Sequence, residues 1–260
     1  MSNIKIIVVT HKPYSFPRNK IYVPIQVNSL KNGEFGYLTD STGDNISNKN
    51  ANYCELTAMY WAWKNYKCDI IGINHYRRYL SLQPKKQLNK LKSDSEKFEA
   101  ILSKMEIETE MRKYDVLAPS TKLYIKNVYS KYAQQHHIKD LQKCRDIIEN
   151  KCPDYLDSFD KIMKQKEYYI CNMCVMEKKL FDKYCEWLFG VLFELEGCTD
   201  ISDYSDLQKR IYGFLSERLF NVWLDKNKLN VHKVNMVNME QDSLKTILKK
   251  AVKRLLMIKS

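Results

Sequence analysis

The stretch Asp69-Ile70-Ile71-Gly72-Ile73-Asn74-His75-Tyr76-Arg77-Arg78-Tyr79 decides how this chain is read. Ile70, Ile71 and Ile73 are β-branched and suit a covered, pleated strand. That strand ends abruptly in an imidazole and two adjacent guanidiniums. Open α/β sheets hold their ligands in the crevice beyond the carboxyl ends of the strands, so His75, Arg77 and Arg78 are expected to face such a crevice. A guanidinium offers planar, multidentate donors that match a phosphate or diphosphate, which makes a nucleotide-containing ligand the first expectation. A surface arginine pair bonded to nearby carboxylates is an equally consistent reading of these residues alone.

Working outward, Ile4-Lys5-Ile6-Ile7-Val8-Val9-Thr10 is a second apolar strand, followed by the polar turn His11-Lys12-Pro13-Tyr14, where the proline halts regular structure. A nucleotide-binding α/β layout begins in this way. Residues 32–52 are rich in Gly, Asn, Asp and Ser and read as a long loop. Leu56, Met59, Tyr60 and Trp63 recur at three- and four-residue steps, which predicts a helix over 55–66 with Asn52 as its cap. Residues 84–113 read as a charged helical excursion whose charges are a solvated face. Asp115 to Pro119 is a short strand, and 124–148 reads as a helix carrying His136, His137 and Asp140. Two adjacent histidines without a third convergent ligand are a weak metal signal. Residues 168–176 read as a buried strand with polar Asn172 in its middle, which needs a partner or a ligand. Helices are expected over 180–195, with an apolar stripe that is core, and over 204–223, which carries Arg210, Glu217 and Arg218.

A chain of 260 residues suits one large α/β domain. The first residues pass directly into a strand without a secretory leader, and no run approaches the ~18 apolar residues of a membrane span. The expectation is a cytosolic protein or one held on a membrane face. The 8 cysteines are scattered and expected to be reduced thiols; Cys171 and Cys174 form a Cys-x-x-Cys pair, but the second pair of a structural zinc site is absent. Of the net charge of +12, residues 226–260 contribute nine Lys or Arg against two acids, about +7. From Gln241 onward, Leu244, Ile247, Leu248, Ala251, Val252, Leu255 and Leu256 make one face flanked by Lys245, Lys249, Lys250, Lys253 and Arg254. This is the pattern of a C-terminal amphipathic helix on an anionic membrane surface, or of a terminal helix docked on the domain. The chain therefore divides into a domain over 1–225 and a basic extension over 226–260. With its charge concentrated on that tail and no interleaved basic and aromatic patch, nucleic acid is not an expected partner.

Taken together, Thr10-His11-Lys12-Pro13-Tyr14, Asp44-Asn45-Ile46-Ser47, residues 53–65 (Tyr53-Cys54-Glu55-Leu56 through Asn65) and His75-Tyr76-Arg77-Arg78-Tyr79 resemble a bacterial glycosyltransferase family of capsular, exopolysaccharide and O-antigen synthesis. Many of its members are described only as a domain of unknown function. Tyr184-Cys185-Glu186-Trp187-Leu188-Phe189 and Gly213-Phe214-Leu215-Ser216-Glu217-Arg218-Leu219 carry the same resemblance, which spans roughly residues 4–225. It implies a GT-A-like α/β domain with a mixed, mostly parallel sheet flanked by helices. It further implies a nucleotide-sugar donor, a UDP-sugar in the first instance, and transfer of a hexose such as galactofuranose. The acceptor would be a growing glycan or lipid-linked oligosaccharide, on the inner face of the cell membrane.

Most GT-A enzymes end the corresponding strand in an Asp-x-Asp pair that holds a divalent metal on the donor diphosphate, whereas this strand ends in His75-Tyr76-Arg77-Arg78. Fixed cations stabilise a departing diphosphate as a bound metal would. The expectation is thus a transferase with no metal and no other cofactor, in which Arg77 or Arg78, with Lys12 or Arg218, neutralises the leaving nucleotide beside His75. Glu217 is the first candidate for the general base, with Asp40 and Asp44 in reserve; a structural ion pair between Glu217 and Arg218 reads the same residues. Thr10, His11, Asp44 and Asn45 are candidates for the base and ribose pocket, and Asn172 for the sugar or acceptor. The competing functions are a non-catalytic scaffold of a polysaccharide assembly complex and a basic nucleic-acid-binding protein.

Overall fold

The computed structural model describes residues 2–240. Ten strands occur in the order β1 (Ile4–Thr10), β2 (Tyr22–Gln26), β3 (Leu38–Thr39), β4 (Ile70–His75), β5 (Arg78–Ser81), β6 (Val116–Pro119), β7 (Lys122–Leu123), β8 (Glu167–Tyr168), β9 (Cys174–Glu177) and β10 (Val231–Asn238). Eight of them form one sheet in the order β3-β2-β1-β4-β5-β10-β6-β9, with a further pairing of β4 to β9; β7 and β8 form a separate pair. β1, β2, β3 and β4 are parallel neighbours, while β5 and β9 each run antiparallel to the strands beside them. β10 and β6 are also a parallel pair, so the sheet is mixed, with six of its eight strands running in one direction and β5 and β9 opposed to them.

β4 is the hinge of this arrangement. On one side it pairs with β1 along its length; on the other, β9 covers Ile70 to Ile73 and β5 takes over at His75. Gly72 lies between the two neighbours, and a Cβ there would stand 2.6 Å from Ile6 Cδ1 and 2.8 Å from Val175 Cγ2. A side chain would force both strands apart. The run of Ile4, Ile6, Ile7, Val8 and Val9 is buried throughout β1, as a strand covered on both faces requires. On one face lie the helices Leu56–Asn65, Lys178–Cys198 and Ile211–Lys226, which share a large core with Ile7, Ile71 and Ile73. On the other, Ile6, Val8 and Tyr79 meet Ile101, Leu102 and Ile107 from the charged excursion.

That excursion is three short helices, Lys85–Leu88, Asp94–Glu99 and Lys104–Glu110, and not one long one. Two capping boxes, Ser93 with Glu96 and Ser103 with Glu106, restart the chain twice by satisfying free N–H groups locally. The helix expected over 124–148 likewise breaks at His136 and His137 into Val128–Gln135 and Ile138–Lys151. His136 stacks on Phe214 and Asp140 accepts the Tyr204 hydroxyl at 2.8 Å, so neither converges on a metal position. Asn52 lies within the short helix Asn50–Tyr53 and donates to the Lys209 carbonyl, so it does not cap the helix that follows. The segment expected as one strand over 168–176 is cut in two, because Cys171 and Asn172 both have positive φ (81° and 46°) and turn the chain between β8 and β9. Finally, the expected boundary after residue 225 does not match the fold: β10, at 231–238, is inserted between β5 and β6 of the main sheet. The amphipathic segment from Gln241 onward lies outside the described residues.

Candidate active-site cleft

The strand order reverses between β1 and β4, and the crevice that such a reversal leaves at the carboxyl ends is where open α/β sheets hold ligands. A cavity of about 390 Å³ occupies it, lined among others by Thr10 and His11 after β1, His75, Arg77 and Arg78 at the end of β4, Asn50, Cys54 and Glu55 before the helix Leu56–Asn65, and Arg210 before the helix Ile211–Lys226.

Local structure explains how each group arrives there. The Thr10 hydroxyl donates to the Lys12 carbonyl at 2.6 Å and so folds the chain back after β1, presenting His11. β4 reverses through Tyr76 and Arg77 directly into β5, so Arg77 sits at a hairpin tip and Arg78 opens the return strand. His75 Nε2 lies 2.8 Å from the Cys171 carbonyl. A carbonyl can only accept, so Nε2 carries the proton and Nδ1 is left as an acceptor.

Three guanidiniums meet in this cleft, and none is matched to a buried carboxylate. Arg78 Nη1 donates to Cys171 Sγ at 3.4 Å, and Arg210 Nε donates to Cys54 Sγ at 3.1 Å. Burial pushes both thiols up from their ordinary range, so each sulfur is a neutral, weak acceptor. Arg77 bonds Glu240 at 3.2 Å, and Lys12 reaches the same carboxylate at 3.6 Å, but Arg77 and Glu240 are 45 % and 44 % exposed at the rim. Lys12 and Arg77 also lie over the Tyr76 ring, each at 5.2 Å. Burial, and after it the nearby Lys12, Arg77 and Arg210, hold the His11 imidazole below its usual range.

Other residues singled out from the sequence fall elsewhere. Arg218 does not line the cleft: it is buried beneath the Tyr132 and Tyr168 rings, donating to the Phe214 carbonyl at 2.8 Å and to Glu217 at 3.1 Å. Glu217 is not among the lining residues either. Its Oε1 accepts the Cys171 N–H at 3.0 Å and its Oε2 pairs with Arg218, so the carboxylate fastens the Cys171 turn from behind; burial raises its pKa. Asp44 accepts the Tyr60 hydroxyl at 3.1 Å, and Asn45 folds onto Gly43 and Ser47, both away from the lining set. Asn172 is 4 % exposed and donates to Glu55 Oε1 at 2.8 Å and to the Gly213 carbonyl at 3.2 Å, facing no open space. Asp40 is fully buried with neither oxygen hydrogen-bonded, since the nearby Thr57 hydroxyl gives its proton to the Cys54 carbonyl; desolvation raises its carboxyl to about 6.

Glu55, Cys54 and Arg210 are the residues that sequence reasoning left without a role. Glu55 stood inside a quoted motif, and Arg210 stood in an expected helix. Only the fold sets them opposite His75 and Arg78.

A mixed α/β sheet with a cationic crevice at its order reversal is an architecture that offers a ligand site at that crevice. Over residues 5–228 the chain matches the family described as "Domain of unknown function (DUF4422)", and it belongs to that family. Its structure is similar to the apo structure of WbbM, a bifunctional glycosyltransferase, with a TM-score of 0.84 and 33 % identity over 92 % of this chain. The match covers 46 % of the WbbM chain, so this chain spans under half the length of that protein. No curated protein matches.

Proposed function

We propose that this chain is a GT-A-like glycosyltransferase that moves a hexose from a nucleoside-diphosphate donor to a glycan or lipid-linked oligosaccharide acceptor, using arginines where related folds use a metal. The single observation that carries the reading is the state of the cleft cations. Arg78 and Arg210 rest on neutral sulfurs and Arg77 on one solvent-exposed acid, so the cleft has positive charge still to be neutralised. A diphosphate supplies that charge, and bidentate guanidinium contacts fit its oxygens. As the bond from the anomeric carbon to the phosphate oxygen breaks, negative charge grows on the leaving diphosphate, where preorganised cations stabilise it.

The donor set argues against a divalent ion between protein and diphosphate. Glu55 is the one carboxylate among the lining residues, and it shares the wall with Arg77, Arg78 and Arg210. The similarity to WbbM supports sugar transfer as the reaction class. On this reading the basic amphipathic sequence beyond Glu240 meets anionic lipid on the inner membrane face, close to a lipid-linked acceptor.

Calorimetric titration with UDP, GDP and TDP in EDTA tests the proposal. One of them is expected to bind with micromolar affinity, and nucleotide-sugar turnover is expected to persist in EDTA. A scaffold would bind none of the three, and an absolute requirement for manganese or magnesium would sink the arginine mechanism.

A further inference from the structure

We infer that Glu55 is the general base that takes the proton from the acceptor hydroxyl, and that Asn172 is the residue that positions it; this rests on the transferase reading above. Among the lining residues Glu55 is the one acid in a wall of cations. The cations suit the leaving group, and a base must come from another group in the same cavity.

Two strained points of backbone, far apart in sequence, converge on this carboxylate. Cys54, immediately before it, has φ 53° and ψ −128°, and Asn172 has φ 46°. Non-glycine residues hold such conformations where the surroundings impose them, often at functional sites. Asn172 spends its amide on Glu55 Oε1 and the Gly213 carbonyl, which fixes the carboxylate against the end of the helix Ile211–Lys226. Among the described residues Oε2 has no protein donor, so it is available to an acceptor hydroxyl. Glu217 is differently placed, with both oxygens committed to Cys171 and Arg218.

The proton and electron balance is that of a single displacement. The acceptor oxygen forms its bond to the anomeric carbon as its proton passes to Glu55. The anomeric carbon–phosphate oxygen bond breaks with its electron pair leaving on the diphosphate, beside Arg77, Arg78 and Arg210. Glu55 then returns the proton to solvent.

The test uses the full chain, with the nucleoside diphosphate released from UDP-galactofuranose, UDP-galactose and UDP-glucose as readout; water serves as acceptor when none is added. Glu55→Gln should lower turnover by about 10²- to 10⁴-fold, with the Kd for UDP within about threefold of wild type. Asn172→Asp sets a second carboxylate against Glu55 and should move the acidic limb of the kcat/KM profile up by about one pH unit or more. Asn172→Ala should lower kcat with little change in KM. Turnover of Glu55→Gln within tenfold of wild type at unchanged UDP affinity overturns the assignment, whether or not a His75→Ala variant shows the proton going to Nδ1. An unshifted acidic limb in Asn172→Asp overturns the positioning role. A wild-type protein that binds no nucleoside diphosphate overturns the transferase reading and this inference together, whereas loss in the variants alone cannot be mistaken for that result.

Discussion

The cleft at the β1–β4 reversal and the hollow around the helix Leu156–Lys164 are both charged and both concave, yet their charges are partnered differently. The hollow is the larger, about 1050 Å³, and carries Lys161, Lys226 and Lys233 together with Asp154, Glu167 and Asp225. There three of the five lining lysines are paired with an acid: Lys161 with Asp225 at 2.5 Å, Lys226 with Asp154 at 3.1 Å and Lys233 with Glu167 at 3.0 Å. In the cleft, Arg78 and Arg210 have no ion pair among the described residues: each donates to a thiol, and Arg210 also lies over the Phe214 ring at 5.6 Å. Size would select the hollow as the site; local neutralisation selects the cleft. Arg78 is half-buried against a weak acceptor and has not recovered all the interactions it lost with water, and a ligand oxyanion completes them.

The strongest way to break this contrast is to remove the unmatched cations. Arg78→Met with Arg210→Met should weaken binding of the cognate nucleoside diphosphate at least a hundredfold, since each charge-assisted contact contributes about 1.5–3 kcal/mol. Calorimetry that finds the affinity unchanged would dissolve the distinction between the two regions.

A third arginine separates a buried cation from a ligand-facing one. Arg218→Met leaves the Glu217 carboxylate without its partner, and denaturant unfolding should show a loss of about 3 kcal/mol. UDP affinity in the surviving folded protein should stay within a few-fold of wild type; a loss as large as that of the cleft double variant would place Arg218 among the donor contacts after all.

Asp40 sharpens the comparison from the acidic side, as a buried carboxyl that pairs with no cation among the described residues. Its folded carboxyl titrates near 6, above the ordinary 3.8, so the native state binds the extra proton and loses stability as pH rises from about 4 to above 6. Asp40→Asn should therefore stabilise the protein at pH 7 by up to about 3 kcal/mol. The gain should shrink towards zero near pH 4, and unfolding curves at the two pH values check the sign. The smallest effect belongs to the hollow: Lys161→Met and Lys233→Met should each change stability by less than about 1 kcal/mol and leave nucleotide binding untouched.

Much of the framework was legible from local pattern. β1, β4 and the helices Leu56–Asn65 and Lys178–Cys198 follow from buried isoleucine runs and apolar stripes at helical spacing, because those signals span many residues and each residue adds to them. Thr10, His11, His75, Arg77 and Arg78 were selected by the rule that ligands gather past strand ends, and all of them line the cleft. Signals of one or two residues misled. The turn at Cys171 and Asn172 carries no glycine or proline to announce it, and its strain is held by Glu217 and His75 from distant segments. β10 was absorbed into a basic tail because Val231, Val234 and Val237 are spaced by threes, a period that suits no strand facing a single core.

By itself, the sequence determined that a strand rich in isoleucine would end in an imidazole and two guanidiniums, since strand propensity and residue order are properties of the chain alone. Which carboxylates and thiols those groups would meet was decided only by the tertiary structure. Glu55 stands 117 positions from Asn172, and Cys54 stands 156 positions from Arg210. Whether a charge is neutralised or left for a ligand depends on distances of a few ångströms across such gaps, and no local pattern encodes them.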